Sequence, residues 1–280
     1  MTVLLNRGAR CMPGVMRFVS ALAVSVVVFT GCPKPEKADG IDGGAVTSTA
    51  GTDGALQKVQ AQLAARLEAV HDYDVEGNVV AADGQHLRFR YAMQQPTFMA
   101  GEFLNDAGVR TRAFVFDGKV LAVIDDVTKT VARHDLSGNE EQLLLTLHET
   151  FSSFVCEGWR PPLLRPTGTV ASVVGDTVEL TVPINAMGLS RSVVVVDSDG
   201  AFVGKRSVAE GEVVVASVTV TKSEVDAATK LKFPTVWEQL DGGQRATTTL
   251  TSWKVNAGIA ADRFSTAIPA GYAAAAAATP

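Results

Sequence analysis

The chain has little cysteine, with Cys11, Cys32 and Cys156 spread over 280 residues. Three scattered cysteines cannot make a disulfide framework, so burial must hold the fold. Aromatic residues are 6% of the total and the net charge is −5, with both signs scattered. No basic stripe appears, which excludes nucleic acid as a partner. The N-terminal apolar run, "FVSALAVSVVVF" from Phe18 to Phe29, is about half the ~20 residues a membrane-spanning helix needs. Catalytic patterns are missing too. There is no G-x-S-x-G elbow and no phosphate-cradling glycine loop, and "HETFS" from His148 lacks the second histidine of a zinc-protease helix. His71, His86, His134 and His148 fall at no ligand spacing. Asp125 and Asp126 are adjacent, and neighbours on a strand point to opposite faces, so they read as a turn and not as a carboxylate pair. The expectation is a protein that is not an enzyme and uses no metal or cofactor.

What is present begins with a positive leader. Arg7, Arg10 and Arg17 precede the apolar run, with no acidic residue among them. A positive start, a short apolar middle and small residues at the end read as a secretory signal. That segment closes on "FTGC", Phe29 to Cys32. The ending resembles a bacterial lipobox, with Phe29 where the pattern usually has Leu or Val. The resemblance implies that Cys32 is acylated and becomes the new N-terminus. Two or three acyl chains would hold the protein to its bilayer essentially permanently, at about 0.8 kcal/mol per buried CH₂. Pro33 follows the cysteine where inner-membrane retention would call for Asp, which implies the outer membrane, facing the periplasm. The expected organisation is a signal peptide over 1–31, the lipidated cysteine and a flexible linker over 32–54, one domain over 55–272, and a disordered Ala-rich tail over 273–280. Cys156, in "FSSFVCEGW", is then left without a partner and reads as a buried, inert thiol.

The body of the chain alternates. Asp-Gly pairs recur at Asp83-Gly84, Asp117-Gly118, Asp199-Gly200 and Asp241-Gly242, each between apolar or β-branched residues, and such pairs favour tight hairpins. The segments between them read as strands. In "LRFRYAM", Leu87, Phe89 and Tyr91 share one face while Arg88 and Arg90 take the other. Further strands are read in "RTRAFVF", "KVLAVIDD", "TKTVARHD", "TVELTVPI", "SVVVVD", "FVGKRSV", "GEVVVASVTVT", "FPTVWEQL" and "RATTTLTSWKV". Two helices interrupt them. Leu56 to His71 carries Leu56, Val59, Leu63, Leu67 and Val70 at helical spacing, and Asn139 to Val155 carries a wide apolar stripe. The order is helix, about six strands, helix, then about six more strands.

This order resembles the lipoprotein carrier and receptor family, LolA and LolB, with the related acyl-binding lipoproteins. The resemblance rests on "YDVEGNVVAADGQHLRFRY", "QQPTFMAGEF", "FVFDGKVLAVIDDVTKTVARHD" and "KFPTVWEQLDGGQRATTTLTSWKVNAGIAADRFSTAIPAG" in that order. It implies a mainly β fold, an incomplete, half-open antiparallel β-barrel with an α-helical lid. The implied function is binding of acyl chains, from lipoproteins or lipids, in a hydrophobic cavity. Its expected lining is Phe89, Tyr91, Phe103, Phe114, Phe116 and Leu121 from the sheet, with Leu144, Leu147, Phe151 and Phe154 from the lid. An anchored chain cannot shuttle, so the expected role is a receptor that takes cargo from a soluble carrier protein. The alternative is an envelope sensor or scaffold that uses the same half-barrel to recognise proteins.

Overall fold

The computed structural model describes residues 50–95, 97–135, 170–186, 189–241 and 243–275. Helix α1 (Ala50–Ala69) comes first. A meander of six strands follows: β1 (Asp72–Ala81), β2 (His86–Gln94), β3 (Phe98–Leu104), β4 (Arg110–Phe116), β5 (Val120–Asp125) and β6 (Thr130–Asp135). A second meander comprises β7 (Val170–Val174), β8 (Thr177–Ala186), β9 (Leu189–Asp197), β10 (Phe202–Ala209), β11 (Val214–Val225), β12 (Lys232–Asp241) and β13 (Gln244–Val255). A two-residue strand, β14 (Ala273–Ala274), closes the described chain.

Among the described residues all the strands belong to one sheet, in the order β14-β6-β5-β4-β3-β2-β1-β13-β12-β11-β10-β9-β8-β7. Each meander is a run of neighbours. They are joined because β1 pairs antiparallel with β13, Tyr73 opposite Val255 through to Ala81 opposite Ala246. β7 and β14 are left as edges, so the barrel is not closed. The predicted open, antiparallel half-barrel is the observed architecture.

The hairpins fall where the Asp-Gly pairs placed them. Gly84, Gly118 and Gly200 have φ of +83°, +91° and +74°, a region glycine enters without a steric penalty. At the β1–β2 and β9–β10 turns the Asp83 and Asp197 carboxylates accept backbone N–H bonds, from Gln85 at 3.0 Å and from Asp199 at 3.0 Å. The Asp125-Asp126 step is also a turn: β5 ends at Asp125, whose Oδ1 accepts from the N–H of Val127 and of Thr128 at 3.0 and 2.9 Å.

Strand alternation gives the sheet two different faces. One face and helix α1 form a single apolar cluster that joins Tyr73, Phe89 and Met99 of the first meander to Leu180, Val194 and Trp237 of the second. Helix α1 contributes Val59, Leu63 and the following Val70, all buried. Sheet twist and curvature bring strands from both halves to this shared core. The other face of β2–β6 holds a smaller cluster, Ala92, Ala100, Ala113, Val115, Ala122, Ile124 and Val131, covered by Phe264 with Ile259 and Tyr272 from the C-terminal segment.

Two boundaries differ from the sequence reading. The helix begins at Ala50, inside the stretch read as linker, because the small residues before Leu56 permit helix without demanding it. The start of the Ala-rich tail is a strand: Ala273 and Ala275 N–H groups donate to the Lys129 and Val131 carbonyls at 2.9 and 2.8 Å. Alanine spacing carries no hint of that pairing, which the open edge of β6 supplies. The predicted second helix, Asn139 to Val155, and Cys11, Cys32 and Cys156 lie outside the described residues.

Candidate functional site

The six predicted lining residues of the sheet come together on the face that α1 covers. Register explains why. Gly77 of β1 stands opposite Phe89 of β2, and Phe89 opposite Phe103 of β3. One step along, Val75, Tyr91, Gly101, Phe114 and Val123 form the next row. A third row runs Tyr73, Met93, Met99, Phe116 and Leu121. Directly opposed residues share a face, so three rows of mostly apolar side chains pave the first meander. Phe89, Tyr91 and Phe116 are 2, 3 and 2% exposed. Phe103, Phe114 and Leu121 are half-buried and pack against the same cluster. The Phe103 and Phe114 rings meet edge-on, 5.7 Å between centroids at 67°.

Gly101 leaves a gap in the middle row between Tyr91 and Phe114. The pocket there, lined by Phe89, Arg90, Tyr91, Gly101, Glu102, Phe103 and Phe114, has a volume of about 10 Å³. That is room for about one water-sized sphere. An acyl chain enters this pocket only if the Phe103–Phe114 pair moves. Leu144, Leu147, Phe151 and Phe154, the predicted lid lining, lie outside the described residues.

Helix α1 is held against this face by polar contacts near its middle and at its C-terminal end. The Gln62 side-chain N–H donates to the Ser198 carbonyl at 2.6 Å. At the C-terminal end, Asn256 bridges: its amide donates to the Ala69 carbonyl at 2.7 Å, and its oxygen accepts from the His71 N–H at 2.7 Å. Asn256 adopts φ +54°, a conformation Asn tolerates better than most residues. Gln95 donates to the Leu67 and Val70 carbonyls at 2.5 and 2.6 Å, satisfying acceptors a helix end leaves free.

Known structures are similar to this arrangement. One is a DUF1329 family protein from Desulfovibrio piger, at 11% identity and a TM-score of 0.49, over 75% of this chain and 96% of that one. A second is a domain described as an outer membrane lipoprotein-sorting protein from Vibrio parahaemolyticus, at 9% identity and a TM-score of 0.48, over 74% and 94%. A third is a LolA superfamily protein from Nitrosomonas europaea, at 12% identity and a TM-score of 0.43, over 72% and 97%. The second and third are the kinds of protein that the resemblance in the sequence named. No family model matches the chain, and no curated protein does. At such identities and TM-scores the likeness settles no activity, so the functional reading rests on the chain's own geometry.

The second meander supplies lining that sequence reasoning missed. Phe233 and Trp237 of β12 are fully buried, and Phe233 stacks on Tyr73 at 5.8 Å and tilts against Trp253 at 5.6 Å. The alternation of "FPTVWEQL" was the available signal; what it lacked was the β1–β13 pairing that brings these rings to the first meander. Arg66 was also missed. It falls on the buried stripe of α1, 2% exposed, with its guanidinium 5.3 Å from the Phe233 ring centroid and Nη2 donating to the Lys232 carbonyl at 2.7 Å. Burial pulls its pKa below the ordinary arginine value, and the Asp197 charge opposes this.

On the opposite face, polar contacts flank the apolar cluster that the C-terminal segment covers. Arg110 forks onto Asp126, with bonds of 2.7 and 3.1 Å, and the Tyr272 hydroxyl also bonds Asp126. Burial acts to raise the Asp126 pKa, but the Arg110 and Tyr272 hydrogen bonds outweigh it and hold the carboxyl below its usual value. These contacts fasten the segment. Among the described residues no group of three His, Cys, Asp or Glu side chains could hold a metal. No described helix is long and apolar enough to cross a membrane.

Proposed function

We propose that this chain is a lipid-anchored envelope protein that receives acyl chains, from lipoproteins or lipids, on the α1-covered face of its half-barrel. The observation that carries the reading is the convergence of Phe89, Tyr91, Phe103, Phe114, Phe116 and Leu121 on that face. The inner three are buried and the outer three half-buried, and the Phe103–Phe114 pair beside Gly101 is the point where a chain would enter. In this reading Cys32 bears the anchor, the residues between it and α1 act as a tether, and the protein faces the periplasm from the outer membrane. An anchored chain cannot carry cargo away, so it acts as acceptor, taking cargo from a soluble carrier and passing it to its own bilayer. No catalytic step is assigned to it.

The test uses residues 33–280 secreted behind a cleavable signal, so that the chain carries no lipid. A fluorescent fatty acid should bind with a Kd in the range of about 1–10 μM. Phe114→Ser should weaken it while the fold, followed by far-ultraviolet circular dichroism, is retained. No saturable binding at about 50 μM overturns the reading and leaves the sensor or scaffold role in its place.

A further inference from the structure

Four polar side chains lie buried among the apolar ones on the β12–β13 part of the same face. Thr235, Trp237, Gln239 and Thr248 are 4, 0, 7 and 0% exposed. The Thr235 and Thr248 hydroxyls, the Trp237 indole N–H and both amide atoms of Gln239 have no hydrogen-bond partner among the described residues. Their placement is not scattered. Thr235, Trp237 and Gln239 alternate along β12 and so share a face. Trp237 stands opposite Thr248 on β13, and Gln239 opposite Ala246. Thr248 in turn faces Val79 of β1. Trp237, Ala246 and Val79 belong to the apolar cluster beneath α1.

A buried hydroxyl or amide without a partner has lost its bonds to water and gained none, and native interiors hold few such groups. Four neighbours in that state on one face point to a ligand that supplies the missing bonds. The set is uncharged: an indole N–H that only donates, an amide that donates and accepts, and hydroxyls that do either. Such a set matches a neutral carbonyl linkage. The patch also adjoins the aromatic floor. Leu250, two residues from Thr248, faces Gly77, which faces Phe89. Two strand spacings, about 10 Å, separate β13 from β2.

We propose that Trp237, Thr248 and Gln239 form a polar subsite for the ester or amide carbonyl at the root of a bound acyl chain. The chain then runs over Phe89 toward Phe114 and Phe116. The Trp237 N–H and the Thr248 hydroxyl donate to the carbonyl oxygen, and the Gln239 amide meets the remaining polar atoms of the linkage. This rests on the acyl-binding reading and adds to it the chemical class of the ligand.

The experiment uses the same 33–280 chain and two probes, dodecanoyl glycerol and its dodecyl ether, which differ only in the carbonyl. The native chain should bind the ester about tenfold more tightly than the ether, the worth of a well-made hydrogen bond. Thr248→Val and Trp237→Phe should bring the ester down to the ether's affinity and leave the ether unchanged. Without ligand, Thr248→Val should raise Tm, because it removes an unpartnered hydroxyl at nearly constant volume. Equal binding of ester and ether by the native chain overturns the subsite while leaving acyl binding intact. So does an equal loss of both probes in the variants. A lower Tm for Thr248→Val also overturns it, since the hydroxyl would then have an internal partner. If neither probe binds, the acyl reading itself fails and the subsite with it. Should Trp237→Phe not fold, Thr248→Val and Gln239→Leu carry the comparison.

Discussion

Replacing Gly77 with alanine should loosen the floor of the site, and the structure says by how much. Gly77 lies in the middle of β1, opposite Phe89, where the β1–β13 register slips between Glu76 and Gly77. A Cβ there would stand 2.6 and 2.7 Å from two carbons of the Phe89 ring and 2.9 Å from the Thr249 carbonyl oxygen. Non-bonded carbons rest at about 3.5–4.0 Å, so the ring must retreat by about 1 Å. Gly77 is not among the positive-φ residues, so the backbone itself accepts alanine and the whole effect is contact. Overpacking of this kind costs about 1–3 kcal/mol. Removing a glycine from the unfolded chain returns about 0.4–1 kcal/mol. At the middle of these ranges Gly77→Ala should therefore lose about 1.3 kcal/mol, read as a lower urea midpoint at unchanged m. In a Phe89→Leu background the loss should shrink, leaving mainly the Thr249 contact. A Gly77→Ala protein as stable as the native one, or a loss that is the same in both backgrounds, would refute the claim that Phe89 fills the space of the glycine.

The remaining expectations concern the polar fastenings and the anchor. The folded Asp126 carboxyl titrates below its unfolded value, so its contribution is fully present above the unfolded pKa of about 3.9 and is lost as pH falls through the folded one. The protection of the Ala273 and Ala275 amides, relative to their intrinsic exchange rates, should fall below about pH 4, and Asp126→Asn should already show low protection at neutral pH; unchanged protection sinks the fastening. Asn256→Ala removes the Ala69 and His71 bonds at a positive-φ site and should destabilise by about 2 kcal/mol, whereas Asn256→Gly, free of the backbone strain, should recover part of that loss in urea unfolding. Cys32→Ala should abolish incorporation of labelled palmitate; labelling that persists would place any lipid elsewhere.

Much of the half-barrel could be read one segment at a time. Asp83-Gly84, Asp117-Gly118 and Asp199-Gly200 marked real hairpins because a positive φ at the second residue is a local demand that only a few residue types meet. Alternation in "LRFRYAM" assigned Phe89 and Tyr91 to the buried face because the strand period is a property of the backbone alone. The α1 face was legible in part: Val59, Leu63 and Val70 are buried as spaced, but Arg66 joins them where a charge argued for solvent. Its burial depends on the Lys232 carbonyl and the Phe233 ring, both on a strand far away in sequence.

Local pattern thus determined hairpins, strand faces and the hydrocarbon-like character of the site, since each follows from periods of two or about four residues. Tertiary structure decided which strands became neighbours. The pairing of β1 with β13 joins the two meanders, brings Trp237 and Phe233 into one core with Phe89, and sets Thr248 beside Val79. It also decided that the alanines after Tyr272 would add a strand to the edge at β6. Contacts between distant segments have no short-range signature, because their free energy comes from surface buried jointly and appears only when the whole sheet has curved around it.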